Sequence, residues 1–275
     1  MKSATLCLSF DNLVEAAEIE MGAIAAPHGT HPTATLVVPS ILTLLAERNL
    51  AATFFVEGLN TEVYPDLLRE VDAAGHEVAY HAWRHEQWSD LAPAEQAENL
   101  SRGIAAFERL GLPMRGMRPP GGGLGGGGLD VLREAGLAYC SPAGEGAGVE
   151  GDLALLPFQW RHVDASCLLP GLASVRERMT GSAESIDPDR FLAHLETELG
   201  RLAEEGGFAT FVFHPITVDA WFGEDRLGVL FDRVATAKES GELRVTPCRD
   251  VAAHLLEHGD PLEGNVILDP TSWSP

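Results

Sequence analysis

Positive charge is what this chain has least of. It carries 19 Lys and Arg against 41 Asp and Glu over 275 residues, a formal net charge of −22. A nucleic acid or an anionic membrane needs a cationic field to dock on, and nothing here supplies one, so neither partner is expected. The surplus acid reads as a solvated shell. Cysteine is scarce too: Cys7, Cys140, Cys167 and Cys248 stand far apart with no C-x-x-C. That spacing argues against a zinc ribbon or a dense disulfide framework and leaves buried thiols. No apolar run nears the roughly 20 residues that span a bilayer. Residues 1–10 hold one cation and a short apolar run ending at Asp11, too brief for a signal peptide, so a cytoplasmic location is expected. There is no internal repeat, no G-x-x-x-x-G-K-[S/T] and no H-E-x-x-H. A G-x-G-x-x-G does occur from Gly121 to Gly126, but it follows Arg-Pro-Pro inside a glycine tract rather than a strand, so a mobile loop is expected there, not a dinucleotide site.

What is present is an alternating pattern. With 45% hydrophobic and 22% charged residues, the composition is that of a globular protein able to bury a core. Apolar runs predict strands over 6–10, 51–56, 76–80, 137–140, 209–213 and 242–246. Amphipathic stretches predict helices over 37–49, 64–74, 93–110, 129–135, 189–203, 225–240 and 250–258. Strand then helix, repeated, is the rhythm of a parallel sheet or barrel. Residues 143–151 read as a polar, glycine-rich loop. One domain is expected over 1–258, with 259–275 as a tail.

The centre of the chain is His81-Ala82-Trp83-Arg84-His85. Two imidazoles four residues apart on one helical turn can close on a single metal ion, and this pair follows a short strand, at the edge where α/β folds build sites. His28 and His31, set among Pro and Gly, read as surface-loop residues. Other strand ends also turn polar: Asp11-Asn12, Arg118 and His214. Four such ends suggest a shared mouth. Taken singly, each has a plainer reading: a turn or N-cap for Asp11-Asn12, a surface ion pair for Arg118, a satisfied buried ring for His214, a core ring for Trp160.

Together, five stretches resemble the polysaccharide deacetylase family, also called NodB-homology or carbohydrate esterase family 4. They are Leu8-Ser9-Phe10-Asp11-Asn12; Gly75 through His85; Arg118-Pro119-Pro120-Gly121; Leu156 through Asp164; and Phe211-Val212-Phe213-His214-Pro215. The resemblance covers roughly residues 5 to 256. It implies a distorted (β/α) barrel and a divalent metal, commonly zinc (Zn2+), with His81 and His85 as ligands. It implies Asp11 as general base, Arg118 as the residue orienting that base, and His214 as the acid that protonates the departing amine. Asp164 is a partner for either Arg118 or His214, and Trp160, Tyr80 and Pro120 are substrate contacts. Where the family's first strand usually ends in two aspartates, this chain has Asp11-Asn12. Either Asn12 ligates through its carbonyl, or Asp11 moves onto the metal in its place, since a neutral amide is a poor zinc ligand.

The resemblance therefore implies hydrolysis of a non-peptide amide C–N bond, foremost N-deacetylation of an N-acetylated sugar or related small molecule. A cyclic amide or imide hydrolase resembling allantoinase is an alternative, compatible with the absence of a leader. A catalytically impaired carbohydrate-binding protein is a second. The substrate partner is a small-molecule or saccharide amide, and a homo-oligomer is compatible with the sequence.

Overall fold

The first strand shows how the site is aimed. β1 (Ala4–Asp11) is buried along its whole length, because both faces of the sheet it belongs to are covered. Successive side chains alternate. Leu6, Leu8 and Phe10 enter the main core under the helices, whereas Cys7 packs inward with Phe55 and Tyr139. Ser9 and Asp11 share the parity of Cys7 and so face the barrel interior. The same count places Glu77, Ala79 and His81 inward from β3 and sends Tyr80 out to the helices.

The computed structural model describes residues 4–259 and 263–269. Among them, β2 (Thr53–Val56), β3 (Glu77–Tyr80), β4 (Gly116–Met117), β5 (Tyr139–Cys140), β6 (Gly144–Glu150), β7 (Leu153–Leu155), β8 (Gly207–Phe213), β9 (Arg244–Val245) and β10 (Glu263–Leu268) join β1 in one ten-stranded sheet. Its order is β10-β6-β7-β5-β4-β3-β2-β1-β8, with β9 beside the start of β1. Only the β6–β7 and β6–β10 pairings are antiparallel; the remainder are parallel. The sheet curls into a distorted (β/α) barrel that is not closed, and beside β8 a single bridge between Val163 and Val212 spans part of the gap. Parallel strands end on one rim, so Asp11, His81, Arg118 and His214 are delivered together.

The helices follow the predicted order, including Pro93–Leu110 and Pro188–Glu205. Three expectations change. Residues 143–151 are not a loop: β6 occupies most of them, because β7 and β10 pair with it on both sides. Residues 263–268, expected as tail, form β10; the rest of the expected tail beyond 259, apart from Asp269, lies outside the described residues. The glycine tract is pinned rather than free. Gln96 donates to Leu124 O and accepts from Gly127 N, both at 3.0 Å, and a side chain at Gly122 would meet Ala143 Cβ at 2.6 Å. Among the described residues no helix is long and apolar enough to cross a membrane.

Candidate active site

Arg118 is the keystone. Its backbone N–H bonds Tyr80 O where β4 runs beside β3, and its side chain turns into the barrel and is buried. The guanidinium lies over the Phe55 ring, 4.1 Å from its centroid. It donates to Asp11 Oδ1 at 2.6 Å, to Ser9 Oγ at 2.8 Å and twice to Ser141 Oγ at 3.0 and 3.2 Å. Arg118 thus holds Asp11, as the resemblance implied. Burial raises the Asp11 carboxyl above its usual range, against the downward pull of Arg118 and His214. Ser9 and Ser141 were not singled out from the sequence, although the parity of Ser9 with Asp11 was there to read.

His81 and His85 come together, ring centroids 4.8 Å apart, but not on a helical turn. They sit on a tight turn in which Ala82 and His85 have φ of 62° and 71°. With Asn12 and Val14, at 68° and 80°, they make four of the five positive-φ non-glycine residues described. Strained backbone gathers at this rim, as it does at functional sites generally. Burial lowers the pKa of both rings, that of His85 to about 4, so they are neutral near pH 7.

Across the cavity, Asp164 takes His214, not Arg118. It accepts the His214 backbone N–H at 2.8 Å through Oδ2, and Nδ1 of the ring lies 2.7 Å from Oδ1. Burial works against the charged imidazolium, but the charge and hydrogen bond of Asp164, with the charge of Asp11, together outweigh it and the His214 pKa is raised.

Asp11, Asn12, His81, His85, Arg118 and His214 line one cavity of about 580 Å³, and Trp160 stands in its wall. Two expected substrate contacts do not reach it. Tyr80 is on the outer face, its hydroxyl bonded to Asn99, and Pro120 is buried while Pro119 and Gly121 border the cavity. His28 and His31 remain on their loop: the His28 N–H bonds Glu15, and His31 Nδ1 accepts from Thr33.

The donors present bear on a metal in a specific way. His81 Nδ1 donates to Arg118 O at 2.7 Å, which leaves Nε2 as the lone-pair nitrogen; that second bond is what ligating imidazoles make. Among the described residues no three His, Cys, Asp or Glu side chains form a group able to hold an ion. Asp11 and Asn12 are the remaining oxygen donors lining the cavity; Asp11 Oδ1 is held by Arg118, and Asn12 Oδ1 already accepts from Val14 N–H. Two neutral imidazoles plus one amide oxygen suit a divalent ion held less firmly than by a carboxylate. Glu57, also missed from the sequence, stands close behind. Its Oε2 accepts from Leu13 N and Asn60 Nδ2, Oε1 has no hydrogen bond, and burial pushes its pKa up to about 7.

Fold and rim together define a NodB-type barrel. Residues 5–140 match the polysaccharide deacetylase family model. A chitooligosaccharide deacetylase of Bradyrhizobium sp. (strain ANU 289) is 38% identical over 97 residues, 34% of this chain and 42% of that protein, so the chain matches less than half of that relative's length. A Mycobacterium smegmatis structure assigned to the polysaccharide deacetylases superposes with a TM-score of 0.77 at 22% identity, covering 100% of this chain and 94% of that one. PuuE allantoinase superposes at 0.72 and 19% identity, over 93% and 91%. At those identities the two structures establish the fold alone. The match to the polysaccharide deacetylase family thus lies in residues 5–140, and the fold of the chain is that of the NodB-type barrels.

Proposed function

We propose that this protein is a metal-dependent hydrolase of non-peptide amide C–N bonds, with N-deacetylation the reaction its relatives favour. The observation that carries the proposal is that Asp11, clamped by Arg118, and His214, clamped by Asp164, border the same cavity as His81 and His85. A divalent ion at His81, His85 and Asn12 would, when bound, supply positive charge at the carbonyl and acidify water. Asp11, its carboxylate oriented by Arg118, takes a proton from water as that oxygen bonds to the carbonyl carbon. His214, with Nδ1 engaged by Asp164, has Nε2 free to deliver a proton to the nitrogen as the C–N bond breaks. The products are a carboxylate and an amine.

Protein reloaded with zinc is expected to release acetate from an N-acetylated substrate, and His81→Ala to lose at least about a hundredfold. Full activity in His81→Ala would overturn the ligand assignment. Asn12 favours a second reading, a binding protein with a vestigial site. Metal analysis before and after zinc reloading separates the two: stoichiometric zinc supports the enzyme, and none after reloading supports the binder.

A further inference from the structure

The cavity has two chemically distinct halves. Every charged side chain lining it belongs to the rim already described, and the opposing wall is apolar. Met21, Trp160, Leu169, Leu172, Ile216 and Trp221 make that wall. Its polar groups are few: Trp160 Nε1 and Thr217 Oγ1, both buried and without a hydrogen bond among the described residues, and the indole of Trp221 at the mouth. Met21 and Trp221, 74% and 43% exposed, are large hydrophobic side chains left open to solvent at the mouth. Exposed apolar groups contiguous with a cavity mark a ligand surface.

The wall is also braced. Arg176 is buried without an acidic partner among the described residues, and its guanidinium donates to the carbonyls of Ser166, Leu169, Ala183 and Glu184. It ties the 166–184 segment into one body and fixes Leu169 and Leu172. A wall held this way does not open into a long groove at the cost of a side-chain rotation.

We infer that the substrate is a compact, neutral amide carrying an apolar aliphatic or aromatic group, and not a hexosamine polymer. This rests on the amide-hydrolysis reading for the bond cleaved, but the recognition argument is independent of it. A sugar laid on this wall would bring most of its hydroxyls against Leu, Ile and Trp carbons, with only the Thr217 hydroxyl and the indole N–H groups to meet them, and each hydroxyl left unpaired weakens binding. An apolar group gains there by leaving water. A cavity of about 580 Å³ holds a molecule of small-ligand size, with the amide at the charged rim and the apolar body on the wall.

The test uses N-acetyl-2-phenylethylamine and N-acetylglucosamine as probes. Calorimetric titration of the chelator-treated protein, which turns neither over, is expected to show the aryl amide binding at least about tenfold more tightly and with a negative heat-capacity change. Leu172→Asp is expected to erase that preference. So is Met21→Ser combined with Trp221→Ser, whose exposed positions leave folding untouched. With zinc restored, kcat/KM for acetate release is expected to favour the aryl amide by a similar factor. If N-acetylglucosamine binds as tightly, or the variants keep the preference, the inference is wrong. If neither probe is cleaved but the aryl amide still binds and Leu172→Asp abolishes binding, the hydrolase reading falls and the apolar-substrate assignment stands.

Discussion

Asn12 is the proposed oxygen ligand, and there one atom would decide how firmly a metal is held. Its φ of 68° is one that Asp also tolerates, and the bond from Val14 N–H to Oδ1 would survive in a carboxylate. Asn12→Asp is therefore expected to fold normally and to bind zinc on the order of tenfold more tightly or better, measured by competition with a chelating dye. Unchanged affinity would remove Asn12 from the ligand set. Asp164 decides a proton. Because its carboxylate raises the His214 pKa, the imidazolium persists above the ordinary histidine value of 6.5 and is lost as pH rises through the folded value. In Asp164→Asn the alkaline limb of the rate profile should move to lower pH, with turnover at pH 8 down about a hundredfold. An unmoved limb would mean that His214 is not the acid. At this scale residue type was enough to single out His81, His85 and Arg118, which the fold gathers on one cavity. It misled where direction mattered: Tyr80 adjoins His81, yet the two-residue alternation of β3 turns it to the other face.

Among elements, the segment around Arg176 carries the sharpest expectation. Arg176→Leu would leave several carbonyl groups without a donor, costing about 3 kcal/mol in urea unfolding. Since the residue touches neither Asp11 nor His214, KM for an apolar amide should rise more than kcat falls; the opposite split would place Arg176 in the chemistry. This segment could not be read as a wall from sequence. Leu169, Ile216 and Trp221 meet only after the chain has folded, and none belongs to a periodic run. β6 was missed for a related reason. Gly144-Glu145-Gly146-Ala147-Gly148 has the composition of a loop and becomes a strand because partners on both flanks complete its hydrogen bonds. The helix Pro93–Leu110 needed no such help, since its own apolar spacing specifies it.

For the whole molecule, parallel topology does most of the assembly: strand ends scattered from Asp11 to His214 share a rim because their strands run the same way. That much was legible from the strand-helix rhythm. The charge of −22 works against compactness through self-repulsion. Raising NaCl from about 10 to 300 mM should therefore raise the Tm by roughly 2–5 °C, followed by scanning calorimetry. A falling Tm would show that ion pairs such as Arg226–Asp189 matter more than the net field.

β10 has a consequence beyond the site. By pairing along β6 it moves the sheet's edge from β6 to its own outer side, so that β10 becomes the strand to which a second molecule could add. Which backbone groups face outward there thus depends on a few residues whose composition gave no hint of it, and a fusion or trimming near position 263 would affect the colloidal behaviour of the protein before it affected its chemistry.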